Sequence, residues 1–154
     1  MEERGIEIAK ELLVGLLERM MLRAEVMGFM REGALYLDLK GDREGILIGK
    51  HGRTLESLQF LINRMVNKQM KEPVKVFLDI NQYKERRADS LKKMAARLGE
   101  KAKRMGKAIT VGPFIAHDRK IIHLTLKEDP SIETESLGEG EMKRVKIIPK
   151  SKPR

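Results

Sequence analysis

The sequence predicts an α+β protein of two small domains, and three observations carry that prediction. Apolar residues recur at helical spacing in long segments and alternate with polar residues in short ones, so helices and strands are both expected. A chain of 154 residues fits one compact domain or two small ones, and 41% hydrophobic residues suffice for a core. Over residues 81–84 an alternating strand pattern gives way to a long basic helix, which marks a junction. The expected domains are therefore 5–81 and 83–149, followed by a basic tail over 150–154.

The first domain opens with Ile6, Ala9, Leu13, Leu16, Leu17 and Met20 at helical spacing, an amphipathic helix over 5–22. Its polar face mixes both charges, so packing onto a sheet suits it better than lying on a membrane. Ala24 to Met30 is a strand, and Arg31-Glu32-Gly33 turns the chain. Leu35, Leu37 and Leu39 then alternate with polar or smaller residues, a half-buried strand. Asp42 is an N-cap candidate for a short helix leading to Gly49. Beyond it, Leu55, Leu58, Leu61, Ile62 and Met65 form the buried stripe of a longer helix that Pro73 stops. Val74, Val76, Leu78 and Ile80 alternate as a third strand.

The second domain begins with one long helix whose stripe is Leu91, Met94, Ala95, Leu98, Ala102 and Met105, with Gly106 as its C′ residue. Gly99 inside this helix costs about 1 kcal/mol relative to alanine. The solvent face carries Lys84, Arg86, Arg87, Lys92, Lys93, Arg97, Lys101, Lys103 and Arg104 against Glu85, Asp89 and Glu100. Ala108–Val111 reads as a strand broken by Gly112-Pro113, and a helix follows over 114–127. Ile132–Leu137 and Arg144–Ile148 form a hairpin through Gly138-Glu139-Gly140-Glu141.

Composition limits the partners. A net charge of +9 favours a polyanion, either nucleic acid or an anionic membrane surface. With no cysteine, disulfides, thiolate metal sites and cysteine nucleophiles are excluded. No apolar run reaches membrane-spanning length, and Met-Glu-Glu-Arg does not open a signal peptide, so a cytoplasmic protein is expected.

The most informative stretch is Ile48-Gly49-Lys50-His51-Gly52-Arg53, a Gly-x-x-Gly turn running straight into a helix. Glycine at both ends permits backbone angles that other residues resist and leaves no Cβ to block a ligand. The N–H groups opening the next helix are unpaired and carry partial positive charge. With Lys50 and Arg53 added, the turn suits a sugar-phosphate backbone. These residues, in the order helix-strand-strand-helix-turn-helix-strand, resemble the type II KH domain, a single-stranded RNA-binding module.

The second motif is Arg119-Lys120-Ile121-Ile122-His123, whose Arg and His lie about 40° apart on one helix face. A guanidinium beside an imidazole can grip a phosphate or a nucleotide end; the alternative is a semi-buried pair bonded to nearby backbone. The run from Gly112 to His123, with Thr134, Ser136, Gly138 and Arg144, resembles the domain named for its Arg-x-x-x-His motif, which binds single-stranded nucleic acid. His117 stands where that family has an aromatic residue, and Lys120 where a second Arg is usual.

A type II KH domain followed directly by this module resembles the bacterial Jag family, also called KhpB. The resemblance implies a small C-terminal sheet packed by helices. It implies single-stranded RNA, or single-stranded DNA, as ligand and a small single-KH-domain bacterial protein as partner. It also implies a post-transcriptional role in cell elongation and division, with no obligatory membrane contact. Many members carry an extra N-terminal domain and charged linker, whereas this chain begins at the first KH helix.

Site residues expected from both readings are Ile48, Gly49, Lys50, His51, Gly52 and Arg53 in the clamp, with bases against the adjacent helix and the Val74–Ile80 strand edge. Arg119, Lys120 and His123 form the second site, helped by Arg86 and Arg87. With 4% aromatic residues, stacking candidates reduce to Phe77, Tyr83 and Phe114. Tyr36 and Phe77 fall on the parity opposite the Leu and Val stripe and suit the second face of the sheet or the domain junction. No cofactor, metal or catalytic residue is expected. Gly45-x-x-x-Gly49-Lys50-His51 is one residue short of a Walker A loop, and His51 replaces its Ser or Thr. The competing reading is a basic scaffold that docks a protein or an anionic membrane through a KH fold that binds no RNA.

Overall fold

The computed structural model describes residues 2–41 and 44–151, so the expected Asp42 cap lies outside the described residues. The chain forms two compact units, one up to Lys84 and one from Glu85. Both are mixed α and β.

In the first unit, α1 (Glu2–Arg19) is followed by β1 (Glu25–Arg31), β2 (Ala34–Lys40) and the short α2 (Glu44–Ile48). A 3₁₀ turn over Lys50–Gly52 then leads to α3 (Arg53–Gln69) and β3 (Lys75–Ile80). The sheet order is β1-β2-β3, with β1 antiparallel and β3 parallel to β2. The parallel pairing requires the long crossover that α2 and α3 supply. Leu35, Leu37 and Leu39 pack with Val76, Leu78 and Ile80 against Ala9, Leu13 and Leu17 of α1 and Leu55, Leu58, Ile62 and Val66 of α3. Strand period 2 puts one set of side chains on the helices and the other set on the opposite face.

Two helix stripes end differently from the sequence expectation. α1 stops at Arg19, so Met20 is 40% exposed, and Leu22 takes the buried position. Leu22 N–H donates to Leu17 O and Met21 N–H to Glu18 O, a Schellman closure with Met21 at φ 56° in the place glycine usually fills. In α3, Leu61 is 46% exposed because it lies about 100° from Ile62, outside the buried arc. The helix ends at Gln69, ahead of Pro73.

In the second unit, α4 (Tyr83–Met105) starts just before the division and is followed by β4 (Ile109–Phe114) and α5 (Ala116–Lys127). β5 (Ile132–Leu137) and β6 (Lys143–Pro149) close the unit in an antiparallel sheet of order β4-β6-β5. Leu91, Ala95 and Ala102 of α4 pack with Ile122, Leu126, Ile132, Val145 and Ile147. Gly106 caps α4 as expected, at φ 63° with Lys107 N–H donating to Ala102 O. Met105, the last member of the expected stripe, is 51% exposed.

Gly99 has a packing role, since a Cβ there would stand 2.8 Å from Ile132 Cδ1 and 2.9 Å from Leu126 Cδ2. The strand expected to break at Gly112-Pro113 instead runs on to Phe114 across a register shift, through a cis Gly112–Pro113 bond. Phe114 is a buried strand residue rather than the start of α5, so it is not a stacking platform.

Candidate nucleic-acid interface

α2 delivers Ile48 into the core, and the chain then turns at Gly49 with φ 70° and ψ −176°, a conformation essentially confined to glycine. His51 (φ 58°) and Gly52 (φ 79°) follow in the left-handed region before α3 starts at Arg53. Space enforces the same choice. A Cβ on Gly49 would run into the Thr54 side chain, and one on Gly52 would come within 2.8 Å of the Tyr83 ring. Tyr83 is therefore a wall of the turn and not a free stacking surface.

No side chain caps α3, because its N-cap is Gly52. The Arg53 N–H reaches Lys50 O, and the N-cap residue itself offers the other opening N–H groups no side-chain acceptor. Lys50 and Arg53 are exposed and His51 is half-buried. The turn thus combines backbone donors, the positive end of a helix dipole and cationic side chains.

The strand edge beside α3, where bases were expected to lie, carries hydrogen bonds of its own. Val74 N–H donates to Asn67 Oδ1 at 2.7 Å, Val76 N–H to Asn63 Oδ1 at 2.9 Å and Leu78 N–H to Gln59 Oε1 at 3.0 Å. Asn67 Nδ2 returns a bond to Val74 O at 2.7 Å. Three carboxamides four residues apart on one helix thereby close the outward N–H groups of β3. A base cannot use those groups without displacing them. The spacing Gln59, Asn63, Asn67 was visible in the sequence as polar residues flanking the apolar stripe, but helical periodicity alone gave them no role.

On the other sheet face, Phe29 stacks on Tyr36 at 5.3 Å and Tyr36 on Phe77 at 5.0 Å between centroids. This matches the second-face placement expected for Tyr36 and Phe77. Lys75 Nζ lies 4.9 Å from the Phe77 centroid. The neighbouring rung holds Asp38 opposite Asp79, and burial together with the Asp79 charge pushes the Asp38 carboxyl up. Two carboxyl groups side by side make that face a poor phosphate surface.

In the second unit, α5 holds Arg119 and His123, which line one groove of about 640 Å³ with Lys120, Thr134, Ser136 and Lys150. Arg119 Nε donates to Phe114 O at 3.2 Å. The imidazole bonds Thr134 Oγ1 through Nδ1 at 2.6 Å and Ser136 Oγ through Nε2 at 2.8 Å. Burial first, and the Arg119 charge second, lower the His123 pKa. Period 2 along β5 brings Thr134 and Ser136 to one face, which is how both reach the ring.

Of the expected helpers, Lys120 and Arg86 are exposed. Arg87 instead donates to the buried Asp118 carboxylate, from Nη2 at 2.8 Å and from Nε at 3.2 Å. Lys103, counted in the basic face, is paired at 2.6 Å with both Glu100 and Asp129. The basic face is thus weaker for phosphate than its composition suggests. Asp118 and Asp129 sit at distant sequence positions, so helix spacing could not reveal either pair.

Among the described residues no helix is long and apolar enough to cross a membrane. Residues 7–80 match the family model described as "KhpA/KhpB, KH domain", and residues 89–149 match the model of the domain named for its Arg-x-x-x-His motif. The RNA-binding protein KhpB of Clostridium symbiosum is 40% identical over 75% of this chain and 52% of its own length. That of Lactiplantibacillus plantarum is 37% identical over 69% of this chain and 34% of its own length. That of Bacillus subtilis is 32% identical over 71% of this chain and 53% of its own length. The chain spans about half or less of the length of these relatives. A KhpA/KhpB-type KH domain and an Arg-x-x-x-His domain in this order, with both signature motifs in place, make the chain a member of the KhpB family.

Proposed function

We propose that the protein binds single-stranded RNA, with the Gly49–Gly52 turn holding the sugar-phosphate backbone and Lys50 and Arg53 nearest the phosphates. The observation that supports this most directly is the turn itself. Two positive-φ glycines precede a helix whose N-cap is itself glycine, and a side chain at either position would clash with Thr54 or Tyr83 and force the turn to change shape. The groove at Arg119, Lys120 and His123 serves as a second site for the same strand or for single-stranded DNA. Arg86 adds to attraction at long range, whereas Arg87 acts by holding Asp118. No step of this function needs a cofactor or a catalytic group. The setting we infer is the bacterial cytoplasm, in post-transcriptional control of cell elongation and division.

RNA affinity measured across a salt series, for the parent and a folded Lys50→Asp/His51→Asp double variant, tests the clamp. Loss of most binding in the variant, with a steep salt dependence in the parent, is the expected result. Unchanged binding would move the function to the second site.

A second reading has its own observation. Phe60 and Leu61 on α3 are 63% and 46% exposed, apolar area suited to a protein partner such as a small single-KH-domain protein. In that reading the KH unit is a docking scaffold. Co-purification with such a partner, lost in Phe60→Ser without loss of RNA binding, separates the two.

A further inference from the structure

The closed edge of β3 has a chemical consequence for which bases the protein accepts. A backbone N–H can only donate, so the atoms facing Val76 and Leu78 must be the carboxamide oxygens of Asn63 and Gln59. Their NH₂ groups therefore turn away from the strand. Asn67 places its own NH₂ on Asn63 O and Val74 O, both at 2.7 Å. Asn63 Nδ2 and Gln59 Nε2 have no hydrogen-bond partner among the described residues.

The acceptor side is already occupied. Gln59 Oε1 takes Lys84 Nζ at 2.6 Å besides Leu78 N–H, and Asn63 Oδ1 takes Asn67 Nδ2 at 3.3 Å besides Val76 N–H. An sp² oxygen has two lone pairs, so what these residues still offer a ligand is donors. Asn63 also lines a groove of about 690 Å³ at the C-terminal half of α3, together with Arg64, Lys68, Val74 and Lys75. Arg64 and Lys68 beside an amide donor suit a nucleotide, with phosphate on the charges and base edge on the amide, whereas the Lys75 ammonium lies over the Phe77 ring on the other face.

We infer that this groove is a base-reading subsite in which Asn63 donates to a carbonyl oxygen on a base edge, and that Gln59, outside the groove and one turn nearer the glycine turn, does the same for a neighbouring base. It favours uracil, which presents O4 as an acceptor, over cytosine, which presents an N4 amino donor at the same place. The bidentate recognition of adenine by a carboxamide is closed here, because it needs the oxygen as acceptor. The inference rests on the proposal that RNA enters along the glycine turn.

The test is the affinity of the full chain for oligouridine and oligocytidine of equal length, in one buffer. The parent is expected to prefer uridine roughly fivefold, the factor one net hydrogen bond carries. Asn63→Asp keeps an oxygen for Val76 N–H and replaces the donor by an acceptor. It is expected to abolish or invert that preference.

Added negative charge by itself would weaken both ligands alike and leave their ratio untouched. Gln59→Glu makes the same exchange next to Lys84 and gives the reading if Asn63→Asp fails to fold. Lys68→Gln is expected to weaken both ligands equally. Equal affinity for the two oligomers in the parent, or a ratio unchanged in both carboxamide variants, would overturn the inference. Failure of the clamp shows differently. Lys50→Asp/His51→Asp would then leave both affinities intact while the ratio still follows Asn63. A parent that binds neither oligomer would sink both readings.

Discussion

The glycine turn of the first unit and the Arg119–His123 groove of the second, both proposed as nucleic-acid sites, are built from opposite materials. The turn is built from backbone, and its shape depends on two residues that lack a side chain. The groove is built from side chains, and its two signature residues are already engaged, Arg119 with Phe114 O and His123 with two hydroxyls. A backbone site is specified locally, by the few residues that set its torsions. A side-chain site is specified by whatever distant strand supplies the partners. The first should therefore fail through local strain, and the second through loss of support from elsewhere in its unit.

The largest effect tests that support. Arg87→Ala strands the buried Asp118 carboxylate at the start of α5, and is expected to lower stability by about 3–5 kcal/mol in denaturant unfolding. A change under about 1 kcal/mol would show that the pair does not hold α5 in place.

Next comes local strain. Gly49→Ala forces a side chain into a φ 70°, ψ −176° conformation and against Thr54, for about 2–3 kcal/mol. RNA affinity should fall at least tenfold while Arg119 and His123 keep their environment, read from their NMR shifts.

Charge reversal at the turn is milder. In Lys50→Asp/His51→Asp, the log-affinity against log-salt slope should become shallower by roughly 0.7 for each phosphate the variant no longer engages, with about a tenfold loss at low salt.

The smallest effect concerns pH at the groove. Because folding lowers the His123 pKa, the unfolded chain takes up the proton first as pH falls. Stability should therefore drop as pH falls below about 6.5 and level off below the folded value. Thermal melts of parent and His123→Gln, compared between pH 7.5 and 5, should show the dependence reduced in the variant. Equal pH profiles would mean that the imidazole does not titrate differently on folding.

The same contrast explains what was readable from the chain alone. Gly49, Gly52, Lys50 and the helix after them are contiguous, so their chemistry could be read from a short word. Arg119 and His123 were readable as a spacing, but Thr134 and Ser136 lie on β5 and only the sheet brings them to the ring. Arg87 read as an exposed cation helping the second site, because its partner is 31 positions away. Gln59, Asn63 and Asn67 drew no reading from the sequence, and only β3 beside them gives them a role.

Alternation and helical periodicity, acting over a few residues, determined by themselves the order of elements, the α+β class, the buried strand faces and the glycine turn. They misplaced Leu61, Met20 and Met105, where an apolar residue lies just outside the arc or beyond the end of its helix. Tertiary structure alone decided which cations are already paired, why Gly99 is small and that the β3 edge is closed. It also decided that Phe114 is core rather than a platform. The physical reason is range. Torsional preference and amphipathic pattern act between near neighbours in sequence, whereas ion pairing, steric fit and edge hydrogen bonding depend on distances that exist only once the chain has folded.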